Sequence, residues 1–247
     1  MRIIAGNLKR KQIKGPPPGA ITRPMPDRVR ESLFQLLRGH YEGAVVLDAF
    51  AGTGIVGLEA ISRGAKRCVF IENDKRVARV IEENAAMLGV ANRCEVLALD
   101  ALGPRARGAF PEPVDLVYFD PPYPMVQDPK TWPRVRDQFA RAVAMLTPKG
   151  FACLRTPWPF VESSSEPDVA ASGAEEVIEI DLSDPDADEA LERFEAELLG
   201  GADPDAPMPR PGDVDLSIEG AEGPETHVYR HTAVHLYMRA TSEALSG

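Results

Sequence analysis

The chain reads Val45-Val46-Leu47-Asp48-Ala49-Phe50-Ala51-Gly52-Thr53-Gly54-Ile55-Val56-Gly57 at the point that decides its fold. Apolar residues up to Leu47 predict a buried strand, the glycines predict a tight turn, and the apolar residues after Gly54 predict a helix. Strand and helix patterns go on alternating as far as residue 154. Such alternation predicts an α/β fold, with a mostly parallel sheet that has helices on both faces.

The other predicted elements lie on both sides of this turn. Residues 1–21 predict a basic arm that runs into Gly15-Pro16-Pro17-Pro18-Gly19, where the prolines exclude a helix. The acidic stretch 183–224, rich in Pro and Gly, predicts a partly disordered insertion. We therefore predict an arm and helix at 1–40, a main domain at 41–182 and 225–247, and the insertion at 183–224. Strands are predicted at 44–47, 68–71, 95–99, 114–119, 150–154, 177–182 and about 231–239, and helices at 27–38, 54–62, 75–88 and 133–146.

The net charge of −10 combines two opposite regions. Residues 162–225 hold 21 acidic residues against two arginines, so the rest of the chain has a balance of +9. Nine of its Lys and Arg residues lie in residues 1–38, which indicates a phosphate-binding surface; the alternative is a solvated tail. The candidate RNA-binding residues are Arg2, Lys9, Arg10, Lys11, Lys14, Arg23 and Arg28.

The composition also indicates a cytoplasmic protein. The chain has no apolar run approaching the roughly 20 residues of a membrane span, and its N-terminus shows no export signal. Its three cysteines are widely spaced, as expected of buried free thiols in a reducing compartment. His227, His231 and His235 are four residues apart, but their surroundings are strand-like, so we predict no metal site.

The turn at Gly52, Gly54 and Gly57 matches the G-x-G-x-x-G pattern, so a dinucleotide cofactor has to be considered. Asp48, however, stands four residues before the first glycine, and its carboxylate would repel a nearby pyrophosphate. The cationic methionine portion of S-adenosylmethionine suits a turn that carries a carboxylate and exposed glycine backbone. The pattern therefore favours S-adenosylmethionine over NAD.

Acidic residues stand at the ends of four successive predicted strands: Asp48, Glu72, Asp100 and Asp120. In a parallel sheet these strand ends line one crevice, where ligands bind. The Glu72 carboxylate could accept hydrogen bonds from the ribose hydroxyls of either cofactor, and Asp100 could accept one from an adenine amine. The alternative is that such acids cap the helices that follow.

The fourth of these strand ends reads Asp120-Pro121-Pro122-Tyr123. The prolines end the strand and stiffen the backbone, which fixes an aromatic ring near a carboxylate and a backbone carbonyl. The two acceptors suit the hydrogens of an exocyclic amine, and the ring suits the face of a flat base. The alternative is a proline-rich turn after a core strand.

These motifs, in this order, resemble the class I S-adenosylmethionine-dependent methyltransferases. Two further stretches, Arg2-Ile3-Ile4-Ala5-Gly6 and Thr22-Arg23-Pro24-Met25-Pro26-Asp27-Arg28-Val29-Arg30-Glu31, resemble the N-terminus of RsmD-type enzymes, the small-subunit ribosomal RNA guanine-N2 methyltransferases. The resemblance covers residues 1–157 and the last strand. It implies a Rossmann-like fold, with a mostly parallel seven-stranded sheet whose last strand is antiparallel, preceded by the basic arm.

The resemblance also implies the residue roles. We expect a monomer that uses S-adenosylmethionine and acts on ribosomal RNA within a partly assembled small subunit. Catalysis is expected at Asp120, Pro121, Pro122 and Tyr123. Cofactor binding is expected at Asp48, Phe50, Gly52, Thr53, Gly54, Glu72, Asn73, Asp100 and Ala101.

Two features depart from that family. The segment Leu154-Arg155-Thr156-Pro157-Trp158 lacks the acidic residue expected after the fifth strand, and the acidic insertion is longer than the usual turn. Three other functions remain open from the residues alone. They are a DNA adenine-N6 methyltransferase, an NAD-dependent oxidoreductase and a non-catalytic RNA-binding assembly factor.

Overall fold

A computed structural model describes residues 1–20, 25–158, 160 and 215–240. These residues form a seven-stranded sheet in the order β3-β2-β1-β4-β5-β7-β6. Strands β1 to β5 are parallel, and β7 is antiparallel to its neighbours β5 and β6. The predicted sheet with an antiparallel last strand is thereby confirmed. The strands are β1 (Val45–Ala49), β2 (Arg67–Glu72), β3 (Cys94–Ala98), β4 (Val114–Phe119), β5 (Leu146–Pro157), β6 (Ala221–Tyr229) and β7 (Thr232–Arg239).

Helices cover both faces of the sheet, as predicted. Val46, Phe70 and Tyr118 belong to a core shared with α1, α2 and α3, whereas Leu47 and Phe119 belong to a core shared with α4, α5 and α6. This division follows from the strands, because successive side chains point to opposite faces. The helices are α1 (Asp27–Leu36), α2 (Ile55–Ser62), α3 (Lys75–Leu88), α4 (Pro104–Arg107), α5 (Tyr123–Gln127) and α6 (Trp132–Ala144).

Helix α3 has the bounds predicted from the sequence, since both of its ends carry recognisable signals. The Asp74 carboxylate accepts a hydrogen bond from the backbone N–H of Arg76 at 2.8 Å, and Gly89 ends the helix at φ +75°. Strand β5 is longer than the predicted 150–154, because Leu146 already pairs with β4 and the residues from Arg155 to Pro157 pair with β7.

The strand at the edge beside β7 differs from the prediction. β6 begins at Ala221, so the insertion predicted to run to residue 224 ends no later than residue 220. The sequence Glu222-Gly223-Pro224-Glu225 suggested a loop, but an edge strand tolerates charges and proline because one side needs no partner. The strand predicted at 177–182 lies outside the described residues, as does the insertion up to residue 214.

The N-terminal arm is docked on the domain instead of extending as a tail. Ile3 lies in the core, and the backbone N–H groups of Ile4 and Ala5 donate to the buried Glu59 carboxylate at 2.7 and 2.9 Å. Gly6 passes so close to α2 that a Cβ there would lie 2.0 Å from the carbonyl oxygen of Ser62. The glycine of the Arg2–Gly6 motif is therefore a packing requirement.

A second anchor joins the arm to the glycine-rich turn. Asn84 is fully buried, and its side chain accepts from the N–H of Lys14 at 2.8 Å and donates to the Lys14 carbonyl at 3.2 Å. The same amide nitrogen lies 3.3 Å from the Thr53 carbonyl oxygen. One side chain therefore holds both segments.

Arg30 belongs to the second N-terminal stretch that resembles the RsmD-type enzymes. The structure places it in the interior, where it pairs with Asp27 at 2.6 Å and donates to the Arg2 carbonyl at 3.2 Å. Arg30 therefore ties α1 to the arm. None of the helices in the described ranges has the length and apolar character needed to cross a membrane.

Candidate active site

The carboxyl ends of β1 to β4 surround a cavity of about 420 Å³. The cavity is lined by six of the nine residues predicted to bind a cofactor and by all four residues predicted for catalysis. A smaller cavity of about 30 Å³ lies beside it, lined among others by Asp48 and Thr53. The six are Phe50, Gly52, Glu72, Asn73, Asp100 and Ala101; the four are Asp120, Pro121, Pro122 and Tyr123.

The three glycines of the turn have different roles. Gly52 has φ +53°, and a Cβ built on it would meet nothing within 4 Å, so its backbone faces open space at the cavity. Gly54 has φ +78° and lies against Ile81, which a Cβ would approach to 2.8 Å. Gly54 lines neither of these two cavities, so its contact with a cofactor stays a prediction. A Cβ on Gly57 would lie 2.3 Å from the Phe70 ring, so this glycine permits close packing of α2 on β2.

Glu72 braces the turn from the neighbouring strand. Its Oε2 accepts from the N–H of Gly52 at 2.8 Å, and its Oε1 accepts from the N–H of Asp74 at 2.9 Å. Burial raises the pKa of this carboxyl above its usual range. Each carboxylate oxygen has two lone pairs, so the group can still accept from a ligand hydroxyl.

Asp100 is exposed at the cavity and also organises its own loop. Its Oδ1 accepts from the N–H of Leu102 at 2.9 Å and so forms a turn, whereas the helix-capping alternative is not seen, since α4 follows Gly103 with no side-chain cap. The carboxylate nevertheless lines the larger cavity beside Ala101. The position of Asp100 is therefore compatible with contact to a ligand in that cavity.

Asp48 is buried and belongs to the smaller cavity. Its Oδ2 accepts from the N–H of Gly57 at 2.9 Å, which satisfies a free donor in the first turn of α2. Burial raises the pKa of Asp48 well above its usual range, and the nearby Asp120 and Glu72 carboxylates raise it further. Asp48 therefore joins β1 to α2 and faces the interior side of the site.

The Asp120–Tyr123 segment adopts an ordered strand-to-helix turn. β4 ends at Phe119, Pro122 precedes the helix, and Tyr123 is the first residue of α5. The sequence predicted only a stiff turn here, since proline in the first turn of so short a helix resembles a loop. The Tyr123 side chain is 5 % exposed, so its ring is part of the cavity wall.

The sequence did not identify Arg155 as a site residue, although it stands at the end of β5 and lines both cavities. Its Nε donates to Asp120 Oδ1 at 2.6 Å, and its Nη1 donates to the Tyr123 hydroxyl at 3.1 Å. The guanidinium carbon also lies 5.1 Å from the centre of the Tyr123 ring. A charged residue inside the apolar run of a strand, at the same edge as the four acids, was the signal available in the sequence.

The two cavities share Phe50, Gly52, Asp120 and Arg155, so the glycine-rich turn and the Asp120–Tyr123 segment face a common space. Phe50 adopts φ +62°, which is strained for a bulky residue. Its ring meets Phe119 edge to face, with centroids 5.1 Å apart. A molecule bound along the turn would therefore be adjacent to a molecule bound at Asp120.

Most of the predicted RNA-binding residues are on the surface. Arg2, Lys9, Arg10, Lys11 and Arg28 are exposed. The exposed Lys14 forms an ion pair with Glu83 at 2.9 Å, so that charge is already partly compensated. Arg23 lies outside the described residues. The docked arm presents its cations on a fixed backbone, which argues against the solvated tail.

The three histidines are separated by the hairpin of β6 and β7. His227 lies in β6, His231 in the turn and His235 in β7. His235 is buried between Thr156 and Thr226, with ring nitrogens 2.9 and 2.8 Å from their hydroxyls, and burial lowers its pKa to about 4. His227 bonds to Glu225 at 2.8 Å, so the described contacts of these two rings are structural.

Comparison with known proteins identifies a family and several relatives of this chain. The sequence profile of the family described as Conserved hypothetical protein 95 matches residues 1–157. The YlbH protein of Bacillus subtilis is 34 % identical over 129 residues, which are 50 % of this chain and 67 % of that protein. The Escherichia coli protein named Ribosomal RNA small subunit methyltransferase D is 37 % identical over 123 residues, which are 50 % of this chain and 60 % of that protein. The Buchnera aphidicola protein of the same name is 34 % identical, and the match spans 62 % of its length.

Solved structures resemble the whole fold. The yhhF protein of Escherichia coli superposes with a TM-score of 0.62 at 22 % identity, covering 97 % of both chains. The ribosomal protein L11 methylase of Lactobacillus delbrueckii superposes with a TM-score of 0.52 at 12 % identity, covering 91 % of this chain and 83 % of that one. At these identities the likeness establishes the fold, which is the class I methyltransferase fold.

Proposed function

The chain belongs to the Conserved hypothetical protein 95 family, the family of RsmD-type enzymes, and we propose that it is a methyltransferase acting on a guanine of small-subunit ribosomal RNA. The transfer would use S-adenosylmethionine and would modify the exocyclic N2 amine. Acting as a monomer in the cytoplasm, it would meet this RNA within a partly assembled subunit. The observation that carries the proposal is the common space shared by the glycine-rich turn and Asp120.

The residues of the turn fit the proposed cofactor. The Gly52 backbone, Glu72, Asp100 and Ala101 line the larger cavity, where the Glu72 carboxylate would accept hydrogen bonds from the ribose hydroxyls. Asp48 and Thr53 line the smaller cavity, and their oxygens suit the ammonium end of the same molecule. When bound, the cofactor supplies an electrophilic methyl group on a sulfonium.

The task of the protein is then to orient the acceptor amine. The Asp120 carboxylate and the Pro121 carbonyl would accept the two amine hydrogens, which turns the nitrogen lone pair toward the turn. These acceptors would also stabilise the positive charge that develops on nitrogen. Tyr123 would pack against the base after the base has left its RNA stack. The amine proton can leave to water after transfer, so no strong base is required.

The basic arm would contact RNA phosphates. Lys9, Arg10 and Lys11 are exposed on a backbone that α2 and α3 hold in place. Such contacts are independent of sequence and position the nucleic acid while the pocket selects the base.

The test is methyl transfer from tritiated S-adenosylmethionine to small-subunit RNA that lacks the modification. Naked RNA, partly assembled particles and adenine-containing DNA are compared, and the methylated nucleoside is identified by mass spectrometry. We expect N2-methylguanosine in RNA and no labelled DNA. A methylated adenine in DNA would favour the adenine-N6 alternative, and the absence of transfer to every substrate would reject the proposal.

A further inference from the structure

Arg155 is a buried charged residue of the site that the proposed mechanism does not use. Its backbone is fixed within β5, where it pairs with Val234 of β7. Its side chain is 5 % exposed and reaches the wall shared by both cavities. A buried guanidinium is costly unless its donors are bonded, so its partners in the pocket need an explanation.

Its described contacts connect two members of the Asp120–Tyr123 segment. Nε donates to the Asp120 carboxylate at 2.6 Å, and Nη1 donates to the Tyr123 hydroxyl at 3.1 Å. Because a guanidinium is planar and its donors diverge at fixed angles, these two bonds set the carboxylate and the phenol relative to each other. The guanidinium also lies 5.1 Å from the centre of the tyrosine ring, within the range of a cation–π contact.

This arrangement determines how the carboxylate is presented. Arg155 engages Oδ1 of Asp120, which leaves Oδ2 as the oxygen that we assign to the target amine. The Asp120 side chain is 16 % exposed and lines both cavities, so its carboxylate is partly accessible. Asp48, Asp120 and Arg155 all line the smaller cavity, so a positive charge accompanies the two carboxylates there.

We propose that Arg155 is a positioning residue of the amine pocket, which locks the Asp120 carboxylate and the Tyr123 hydroxyl into the arrangement that receives the target base. The inference rests on the proposed function. It extends that function to Arg155, which lies in the segment Leu154–Trp158. That segment lacks the acidic residue that the resemblance to the family led us to expect after the fifth strand. The inference also assigns Asp120 the role of a hydrogen-bond acceptor that an ion pair holds in place.

The first experiment compares three variants with the unaltered protein. Arg155→Met removes both bonds, Arg155→Lys keeps the charge but loses the planar fork, and Arg93→Met is the control. Arg93 also donates from a partly buried guanidinium, to the Ile61 carbonyl at 3.2 Å, but it lies outside the pocket. Steady-state kcat and KM for RNA, and the Kd of S-adenosylhomocysteine, are measured for each protein, with circular dichroism to establish folding.

If Arg155 positions the pocket, Arg155→Met lowers kcat by about 100-fold, the scale of a misplaced reacting group. Arg155→Lys should recover part of that loss, and the Kd of S-adenosylhomocysteine should change less than twofold in both variants. Arg93→Met should keep the normal kcat. A folded Arg155→Met protein with normal kcat would overturn the role of Arg155. Inactivity of the unaltered protein on all RNA would instead reject the proposed function, and this inference with it.

The second experiment needs no activity. The chain has five tyrosines, so ring-labelled tyrosine gives few NMR signals, and Tyr123→Phe identifies the one from Tyr123. The Tyr123 signal should shift in Arg155→Met and in Asp120→Asn, and it should stay in place in Arg93→Met. A Tyr123 signal unaffected by Arg155→Met would show that the side chains are not coupled and would overturn the inference.

Discussion

The acidic residues at the strand ends show how far single residues could be predicted. Their positions at one edge followed from the alternation of strands and helices, and Glu72, Asp100 and Asp120 do line one cavity. Their hydrogen-bond partners were not predictable, because a sequence does not say which backbone N–H comes within 3 Å of a carboxylate. Arg155 was missed for the same reason, since its significance lies in contacts with residues more than thirty positions away.

Replacing Asp120 by Asn tests the amine acceptor. The amide keeps one acceptor oxygen but loses the charge that would stabilise the developing cation, so kcat should fall by about 100- to 1000-fold. Binding of S-adenosylhomocysteine, measured by calorimetry, should stay within twofold. Asp137→Asn, on the exposed surface of α6, is the control and should leave both quantities unchanged. Near-normal turnover of Asp120→Asn would remove Asp120 from the mechanism.

Gly57 and Gly52 should respond differently to alanine. A Cβ on Gly57 overlaps the Phe70 ring, so Gly57→Ala should lower the free energy of unfolding by about 1–3 kcal/mol, as overpacking does. Gly52→Ala meets open space but sits at a positive φ, and its methyl group would project toward the proposed ligand. Gly52→Ala should therefore reduce the free energy of S-adenosylhomocysteine binding by more than it reduces the free energy of unfolding. Denaturant unfolding and calorimetry together separate the two effects.

His235 should make stability depend on pH. Its folded-state pKa of about 4 lies below the unfolded value of about 6.5, so the unfolded chain binds more protons between these two values. Stability should therefore be full above pH 6.5 and fall toward pH 4, by a contribution on the order of 3 kcal/mol. His235→Gln can still bond both threonines and should lose this contribution. The free energy of unfolding is measured at pH 7 and pH 4.5 for the unaltered protein and for His235→Gln. If the difference between the two pH values is the same in both proteins, His235 is not the source of the pH dependence.

At the scale of elements, strong local signals gave correct bounds and weak signals did not. Helix α3 has an N-cap and a terminal glycine, whereas β6 has a charged, proline-containing sequence that suggested part of the insertion. The docking of the arm could not be predicted either, because its anchors, Glu59 and Asn84, look like ordinary helix residues in the sequence.

The anchoring of the arm can be tested at Glu59. Glu59→Gln replaces one of the two oxygens that accept from the arm by an amide donor, which should cost about 1–3 kcal/mol. The loosened arm should be cut faster by trypsin at Lys9, Arg10 and Lys11. Glu83→Gln, which weakens only the exposed ion pairs of Glu83 with Lys14 and Arg79, is the control and should be cut at the normal rate.

The charges of the arm can be tested separately from its anchors. Neutralising Lys9, Arg10 and Lys11 should weaken RNA binding and reduce the slope of log K against log salt concentration by about 2, the value for three lost phosphate contacts on a single strand. A control variant neutralises three exposed cations elsewhere, Arg105, Arg134 and Lys149, and keeps the same net charge. Equal slopes for the two variants would show that the arm makes no special phosphate contacts.

For the whole molecule, the topology could be predicted because short crossovers between parallel strands restrict the possible arrangements. The overall charge was misleading as an average. The acidic residues concentrate in 162–225, whereas the arm and the domain before it are basic. The match of the family profile to residues 1–157 covers that basic part, and so the candidate site and the arm belong to the shared region.

The docking of the arm changes the thermodynamics of any encounter with a polyanion. A flexible tail loses its conformational freedom at the moment of binding, and this loss subtracts from affinity. Here Glu59 and Asn84 hold the backbone of the arm in the unbound protein, so that freedom is already lost during folding. The arm is therefore preorganised, because the backbone that carries its cations is already held in place before a nucleic acid binds.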